Sequence, residues 1–163
     1  MKKIKASILI ANYNNQRYID KCLNSLFKQN YNNIEIIFHD DCSDDDSILK
    51  VKKYENIKLI RNKTRGKYGS VNQIQAYERA FRCSKGEIIF LLDSDDYFSS
   101  KKVDNIIKSF NENKQVNIIY DLPIEVNNKN EKKIKNIKKI IPNYWPYIPN
   151  QSCISIRRKT FKK

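Results

Sequence analysis

The sequence predicts an α/β protein with a Rossmann-like, mostly parallel sheet and helices on both faces. Three observations predict it. Through the first hundred residues, apolar runs of strand length alternate with segments of helical period, the pattern of parallel strands joined by helical crossovers. The strands are apolar throughout, with no in-out alternation, as befits a sheet covered on both sides. Three of these strands end abruptly in polar or acidic clusters.

The elements follow in order. "KASILIA" (5–11) is a buried strand. Residues 15–29 place Ile19, Cys22, Leu23, Leu26 and Phe27 at helical spacing. "IEIIFH" (34–39) is a second strand, and the acidic "SDDDS" after it leads into a helix to about Tyr54, since acidic groups favour a helix N-terminus. "IKLIR" (57–61) is a third strand and "NKTRGKYG" (62–69) a loop. Residues 71–83 read as a helix with Ile74, Tyr77 and Phe81 on its apolar side. "EIIFLL" is a fourth strand, and Val103, Ile106, Ile107 and Phe110 mark the helix after it. Beyond about residue 115, "VNIIYDLPIEV" and "KKIKNIKKII" read as strands around the turn "NNKNE", "NYWPYIPNQ" as an aromatic loop and "SCISIRR" as a last strand.

Composition bounds the function. The 163 residues, 40% of them hydrophobic, suit one domain with a real core. No apolar run reaches the ~20 residues of a membrane span, and the basic-then-apolar N-terminus runs into Asn-Tyr-Asn-Asn without a cleavage site, so it reads as a first strand of a cytoplasmic protein. Four scattered cysteines without a C-x-x-C pair argue against zinc and for buried thiols in a reducing compartment. The net charge of +14 is uneven: residues 1–100 carry 17 basic and 13 acidic side chains, residues 101–163 carry 15 and 5. A basic second part points to nucleic acid or to an anionic membrane surface, or is a compositional habit of a Lys- and Asn-rich chain.

In open parallel sheets ligands bind beyond the carboxyl ends of the strands. There lie "NYNN", "DDCSDDD" and "DSDD", which are expected to meet in one crevice. In extended chain Asp93 and Asp95 point the same way, with Ser94 between. Two carboxylates ~5 Å apart repel by roughly 3 kcal/mol at an effective dielectric of 20. A divalent cation reverses that sign, and hard oxygen ligands in small number suit Mg²⁺ or Mn²⁺ shared with a phosphate. The plain alternative is a solvated acidic turn before the helix near Ser99. Tyr13 is placed to stack on a base. Of Asp40 and Asp41, one suits a base N–H and the other suits orienting the loop. Lys67 and Arg65, near Gly66 and Gly69, are candidates for a pyrophosphate. The glycine fingerprints of dinucleotide and P-loop sites are absent. The single histidine, His39, lies within a strand and reads as structural.

"ASILIANYNNQRYIDKCLNSLFKQNYNNIEIIFHDDCSDDDS" followed by "GEIIFLLDSDDYF" resembles the nucleotide-diphospho-sugar glycosyltransferases of family 2, of GT-A fold, over roughly residues 5–110. The family's Pro-x-Tyr-Asn is here Ala11-Asn12-Tyr13-Asn14, and its Asp-Asp-Gly-Ser is Asp40-Asp41-Cys42-Ser43. The resemblance implies inverting transfer of a sugar from a nucleotide-diphosphate sugar, a UDP-sugar, to an acceptor hydroxyl in cell-surface polysaccharide synthesis, with Mn²⁺ or Mg²⁺. It implies nucleotide-sugar binding by Ala11, Tyr13, Asp41, Lys67 and Asp93, and metal ligation by Asp95 with Asp93. The partners implied are the nucleotide-diphosphate sugar and a glycan or lipid-linked acceptor. The charge asymmetry and the run "KKIKNIKKI" (132–140) point to peripheral contact at the inner face of the membrane, and no nucleic acid is expected.

Within one GT-A-type domain, residues 1–115 are expected to bind the nucleotide sugar and 116–163 to begin an acceptor-side part that is cut short. No general base is assigned, so binding is expected to outlast transfer. Two rival readings remain: a nucleotidyltransferase-like enzyme, opposed by the absence of glycine in "ANYNNQ", and a basic nucleic-acid-binding module, opposed by the acidic crevice.

Overall fold

The computed structural model describes residues 3–126, 131–133 and 151–161, with backbone alone at 125–126 and 131–133. Four strands, β1 (Ala6–Asn12), β2 (Ile34–Asp40), β3 (Ile57–Arg61) and β4 (Ile88–Asp93), run parallel in the order β3-β2-β1-β4. Between them come the helices α1 (Ile19–Phe27), α2 (Ser47–Val51) and α3 (Gly69–Arg82), and α4 (Lys102–Glu112) follows β4. The sheet is completed by β5 (Ile118–Tyr120) and β8 (Ile154–Arg157). β8 is inserted between β4 and β5, antiparallel to both. β6 (Ile124–Val126) and β7 (Glu131–Lys133) pair as a separate antiparallel ribbon, and α5 (Arg158–Phe161) follows β8.

Period-2 alternation along the central strands divides the core. Ile8 and Ile10 of β1, Phe38 of β2 and Phe90 and Leu92 of β4 pack with Ile19, Leu23, Val103, Ile107 and Phe110, which come from α1 and α4. The intervening Leu9, Ile37, Ile89 and Leu91 pack with Tyr77 and Ala80 of α3. Helices therefore cover both faces, as the uniformly apolar strands predict. Each fully buried Leu, Ile or Phe contributes about 1.5–3 kcal/mol, so the central strands are the most strongly held part of the sheet.

Several boundaries differ from the sequence expectation, each for a local reason. α1 begins at Ile19 rather than near residue 15. The preceding residues form a loop in which Asn14 is left-handed (φ 51) and the Asn14 and Gln16 amides donate to Ser43 and Asp45 across the gap to the next loop. α2 stops at Val51, short of Tyr54, and Asn56 (φ 64) turns the chain into β3. On α3 the face turned inward is Asn72, Ala76, Tyr77 and Ala80, and Ile74 is 66% exposed. Small side chains let this helix lie against the sheet, which apolar periodicity alone does not reveal. "VNIIYDLPIEV" is two strands separated at Asp121-Leu122-Pro123, as a proline without an N–H requires. Only Lys132 and Lys133 of the second expected strand are described, in β7. The rest of that strand and most of the aromatic loop lie outside the described residues.

Candidate functional site

Successive strands reverse direction of progress between β1 and β4, the switch point at which open α/β sheets bind ligands. The carboxyl ends of β1, β2 and β4 meet there around a cavity of about 310 Å³ lined by Ala11, Tyr13, Asp41, Arg65, Asp93 and Asp95. The three clusters converge as expected. Of the six residues that the family resemblance implies, Ala11, Tyr13, Asp41, Asp93 and Asp95 line this one space, as does Arg65. Lys67 does not: it is exposed, its Nζ lies 5.6 Å from the ring of Tyr68, and the loop turns Arg65 inward in its place.

The two aspartates ending β2 have separated into different environments. Asp40 is fully buried. It accepts hydrogen bonds from Asn12 Nδ2 (2.8 Å), the Ser43 amide (3.0 Å) and Ser43 Oγ (2.6 Å), with Arg61 Nε at 3.5 Å. It ties the end of β1 to the turn after β2. Asp41 faces the cavity, its Oδ1 taking Asn62 Nδ2 (2.7 Å) and its Oδ2 taking Arg65 Nε (3.1 Å). Cys42, where the resembling family has glycine, adopts φ 63. The turn therefore closes with a side chain in the left-handed region, at a cost of order 1 kcal/mol.

The walls of the cavity near Tyr13 and Asp41 are fixed unequally. The loops after β1 and β2 are laced together: Asp44 N–H donates to Asn14 Oδ1 and Asp46 N–H to Gln16 Oε1, beside the Ser43 and Asp45 contacts already described. The Arg65 loop is held to α3 by Asn72 Nδ2, which donates to the Gly66 carbonyl (2.9 Å). A Cβ on Gly66 would run into Asn72 Oδ1, so a larger residue here would turn the Asn72 amide and disturb this anchor. The Arg65 guanidinium lies 3.6 Å over the ring of Tyr13.

Asp93 is held from three sides. Gln73 Nε2 and Tyr77 Oη both donate to its Oδ1 at 2.6 Å, and its amide donates to Ser152 Oγ (2.9 Å). Burial pushes its carboxyl above the ordinary range; the Tyr77 and Gln73 bonds oppose that shift, and Asp95 and Asp96 add to it. Burial raises Asp96 likewise, against a hydrogen bond from Ser152. Ser94 is fully buried and accepts from Asn15 Nδ2 (2.8 Å), whereas Asp93 and Asp95 both line the cavity; they do so across a turn closed by the Asp96 amide on the Asp93 carbonyl (3.0 Å), not along the extended chain the sequence suggests. Nearby, Lys102 Nζ bridges both oxygens of Asp121 (2.8 and 2.6 Å) and the Ser152 carbonyl (2.8 Å). Asp121 is thus engaged in joining β5 to α4.

Among the described residues no three acidic, histidine or cysteine side chains are grouped to hold a metal ion on their own. Two carboxylates on one wall, one with an oxygen already saturated, fit Mg²⁺ or Mn²⁺ that takes its other ligands from water and a phosphate, and do not fit a closed protein cage. His39 is buried, and burial together with the Arg79 guanidinium pushes its imidazolium down; it does not line the cavity. All four cysteines are free thiols. Sequence reasoning missed Asn12, Asn15, Asn72, Gln73 and Ser152. The one available signal was the i, i+4 spacing of Gln73 and Tyr77, two polar-tipped side chains on one face of α3.

Comparison with known proteins gives one consistent result. The model of the family described as glycosyl transferase family 2 matches residues 7–161. An uncharacterized glycosyltransferase of Nostoc sp. is 27% identical over 177 aligned positions, covering 98% of this chain and 53% of its own length. The UDP-Glc:alpha-D-GlcNAc-diphosphoundecaprenol beta-1,3-glucosyltransferase WfaP of Escherichia coli is 39% identical over 104 positions, covering 62% of this chain and 39% of its own. The crystal structure of S. aureus TarS 1-349 in complex with UDP-GlcNAc superposes with a TM-score of 0.74 at 22% identity, over 98% of this chain and 47% of that one. The chain thus spans about half the length, or less, of these proteins.

Proposed function

The chain belongs to glycosyl transferase family 2, and from that premise we propose that it forms the donor-binding part of a metal-dependent, inverting glycosyltransferase that uses a UDP-sugar. The observation that carries the reading is the convergence of Tyr13, Asp41, Asp93 and Asp95 on one cavity at the switch point of the sheet. Tyr13 stacks on the base and Asp41 accepts its N–H. Asp93 offers the ribose or the metal's surroundings its one unsaturated oxygen, and Asp95 with Asp93 ligates Mn²⁺ or Mg²⁺. When bound, the cation supplies charge neutralisation for the departing diphosphate. The backbone at Ala11 completes the wall beside the nucleotide. Residues 1–115 hold the donor and the following residues begin the acceptor side.

The acceptor is a glycan or lipid-linked hydroxyl in cell-surface polysaccharide synthesis, a reading supported by the names of the WfaP relative and of TarS-type poly(ribitol-phosphate) transferases. A lipid-linked acceptor places the protein at the inner face of the membrane. Among the described residues no helix is long and apolar enough to cross one, and the basic run that motivates peripheral contact lies mostly outside them. Sedimentation with anionic and neutral vesicles tests that contact: anionic-only, salt-sensitive binding supports it, and equal binding to both opposes it.

The decisive experiment is calorimetric titration of UDP with and without Mn²⁺. Asp95→Ala is expected to abolish the metal-dependent gain. Tyr13→Ala is expected to weaken binding about 5- to 100-fold with or without metal, the worth of one stacked base. Unchanged metal-dependent affinity in the Asp95 variant would reject the assignment.

A further inference from the structure

The base seat just described is already taken by a side chain. Arg65 lies 3.6 Å over Tyr13 and donates to Asp41 Oδ2 at 3.1 Å. A guanidinium is planar, carries N–H donors at its edge and stacks on aromatic rings. It therefore makes the same two contacts that a uracil ring would make, one face-on to Tyr13 and one edge-on to Asp41. At 3.6 Å the ring and the guanidinium are in direct contact, and no base fits between them.

We propose that Arg65 is an exchange residue that makes the site selective for nucleoside diphosphates over nucleosides. This rests on the donor-site reading above. The base enters by displacing the guanidinium, and the displaced guanidinium is then used on the diphosphate. Two features support the second half. Among the described residues lining the cavity Arg65 is the one cation, set against Asp41, Asp93 and Asp95, so among them it is the side chain that an entering diphosphate is drawn to. The loop's backbone is anchored next door by the Asn72 bond to the Gly66 carbonyl, so the side chain can turn while its Cα stays beside the cavity. A guanidinium pairs with phosphate oxygens through two parallel bonds. A diphosphate therefore compensates the lost Tyr13 and Asp41 contacts, and a bare nucleoside does not.

The test is calorimetry in metal-free buffer with uridine and UDP on the wild type, Arg65→Ala and Arg65→Lys. In Arg65→Ala the seat is vacant, and uridine should bind roughly 5- to 30-fold more tightly, the combined worth of a partly exposed cation–π contact and ion pair. UDP should gain nothing or weaken, so the ratio of the two dissociation constants falls by about tenfold or more. Arg65→Lys, which keeps the charge without the planar fork, should tighten uridine while largely retaining UDP. Added salt should tighten uridine in the wild type by screening the Arg65–Asp41 pair and should have no such effect in Arg65→Ala. Unchanged or weaker uridine binding in either variant overturns the proposal while leaving the donor site intact. A wild type that binds UDP neither with nor without Mn²⁺ overturns both.

Discussion

Replacing each of the two adjacent aspartates at the end of β2 by alanine should give opposite phenotypes, though the residues are neighbours of the same type. Asp40→Ala removes a fully buried carboxylate that accepts from Asn12 Nδ2 and from the amide and hydroxyl of Ser43, leaving those donors without their acceptor. Breaking such a buried charged network costs about 3–5 kcal/mol. For a chain of this size each kcal/mol moves Tm by about 2–4 °C, so the midpoint should fall by roughly 6–20 °C. Asp41→Ala releases Asn62 and Arg65, and the Arg65 side chain is 33% exposed and readily solvated. Its cost should be about 1–2 kcal/mol and a few degrees, with UDP affinity lost. Thermal melts followed by circular dichroism, paired with UDP titration of the variants below their midpoints, separate the two effects. Equal losses of Tm, or an Asp40 variant that melts like the wild type and merely fails to bind UDP, would refute the division of labour.

Other outcomes follow from the same geometry. Burial raises the folded-state pKa of Asp93 above its ordinary 3.8, so in the window above that value the folded chain binds a proton that the unfolded chain does not, and stability falls as pH rises through it. Asp93→Asn, which can still accept from Gln73 and Tyr77, should therefore be more stable than the wild type in metal-free buffer at neutral pH. Urea melts should show the gap closing as pH falls toward the ordinary carboxylate value, and a gap that widens on acidification would contradict it. Gly66→Ala places a Cβ against Asn72 Oδ1, whereas at Gly69 the nearest atom, Arg65 Nη2, is 3.8 Å away. Hydrogen exchange at residues 62–68 should rise in the first variant and stay unchanged in Gly69→Ala.

The first four strands were legible because each is a run of large apolar residues long enough to be a strand and too short to be a buried helix. The crevice was legible for a related reason: polar clusters at the ends of parallel strands must lie on one edge of the sheet. The inward face of α3 was not legible, since Ala76 and Ala80 carry it while the more apolar Ile74 points to solvent. Nor was the place of β8, whose partner strands are fixed by long-range pairing and not by any local pattern. Within the site, sequence supplied the carboxylates and Tyr13 but not their supports. Whether Asp40 or Asp41 faces the cavity turns on the path of the chain after β2, and whether Arg65 or Lys67 does turns on the path of the loop around Gly66, which no local pattern reveals. Amide side chains such as Asn72 and Gln73 acquire meaning only from what they touch.

The insertion of β8 beside β4 bears on how the molecule comes into being. Ile88 pairs with Arg157 and Phe90 with Ser155, so the second flank of β4 stays open until a distant stretch of chain has been synthesised. The four parallel strands and their helices can assemble first, because their contacts are closer in sequence. Closing the long loop to β8 carries an entropy that grows only slowly with length, about 0.6 kcal/mol per doubling, but such non-local pairing is slow to find. Ser152, which receives the Asp93 amide, and the carbonyl grip of Lys102 arrive with that last strand. On the ribosome the acidic turn is therefore made well before the segment that latches it. The nascent chain passes through a stage with a formed sheet and an unpaired edge at β4, the stage at which a chaperone would matter most.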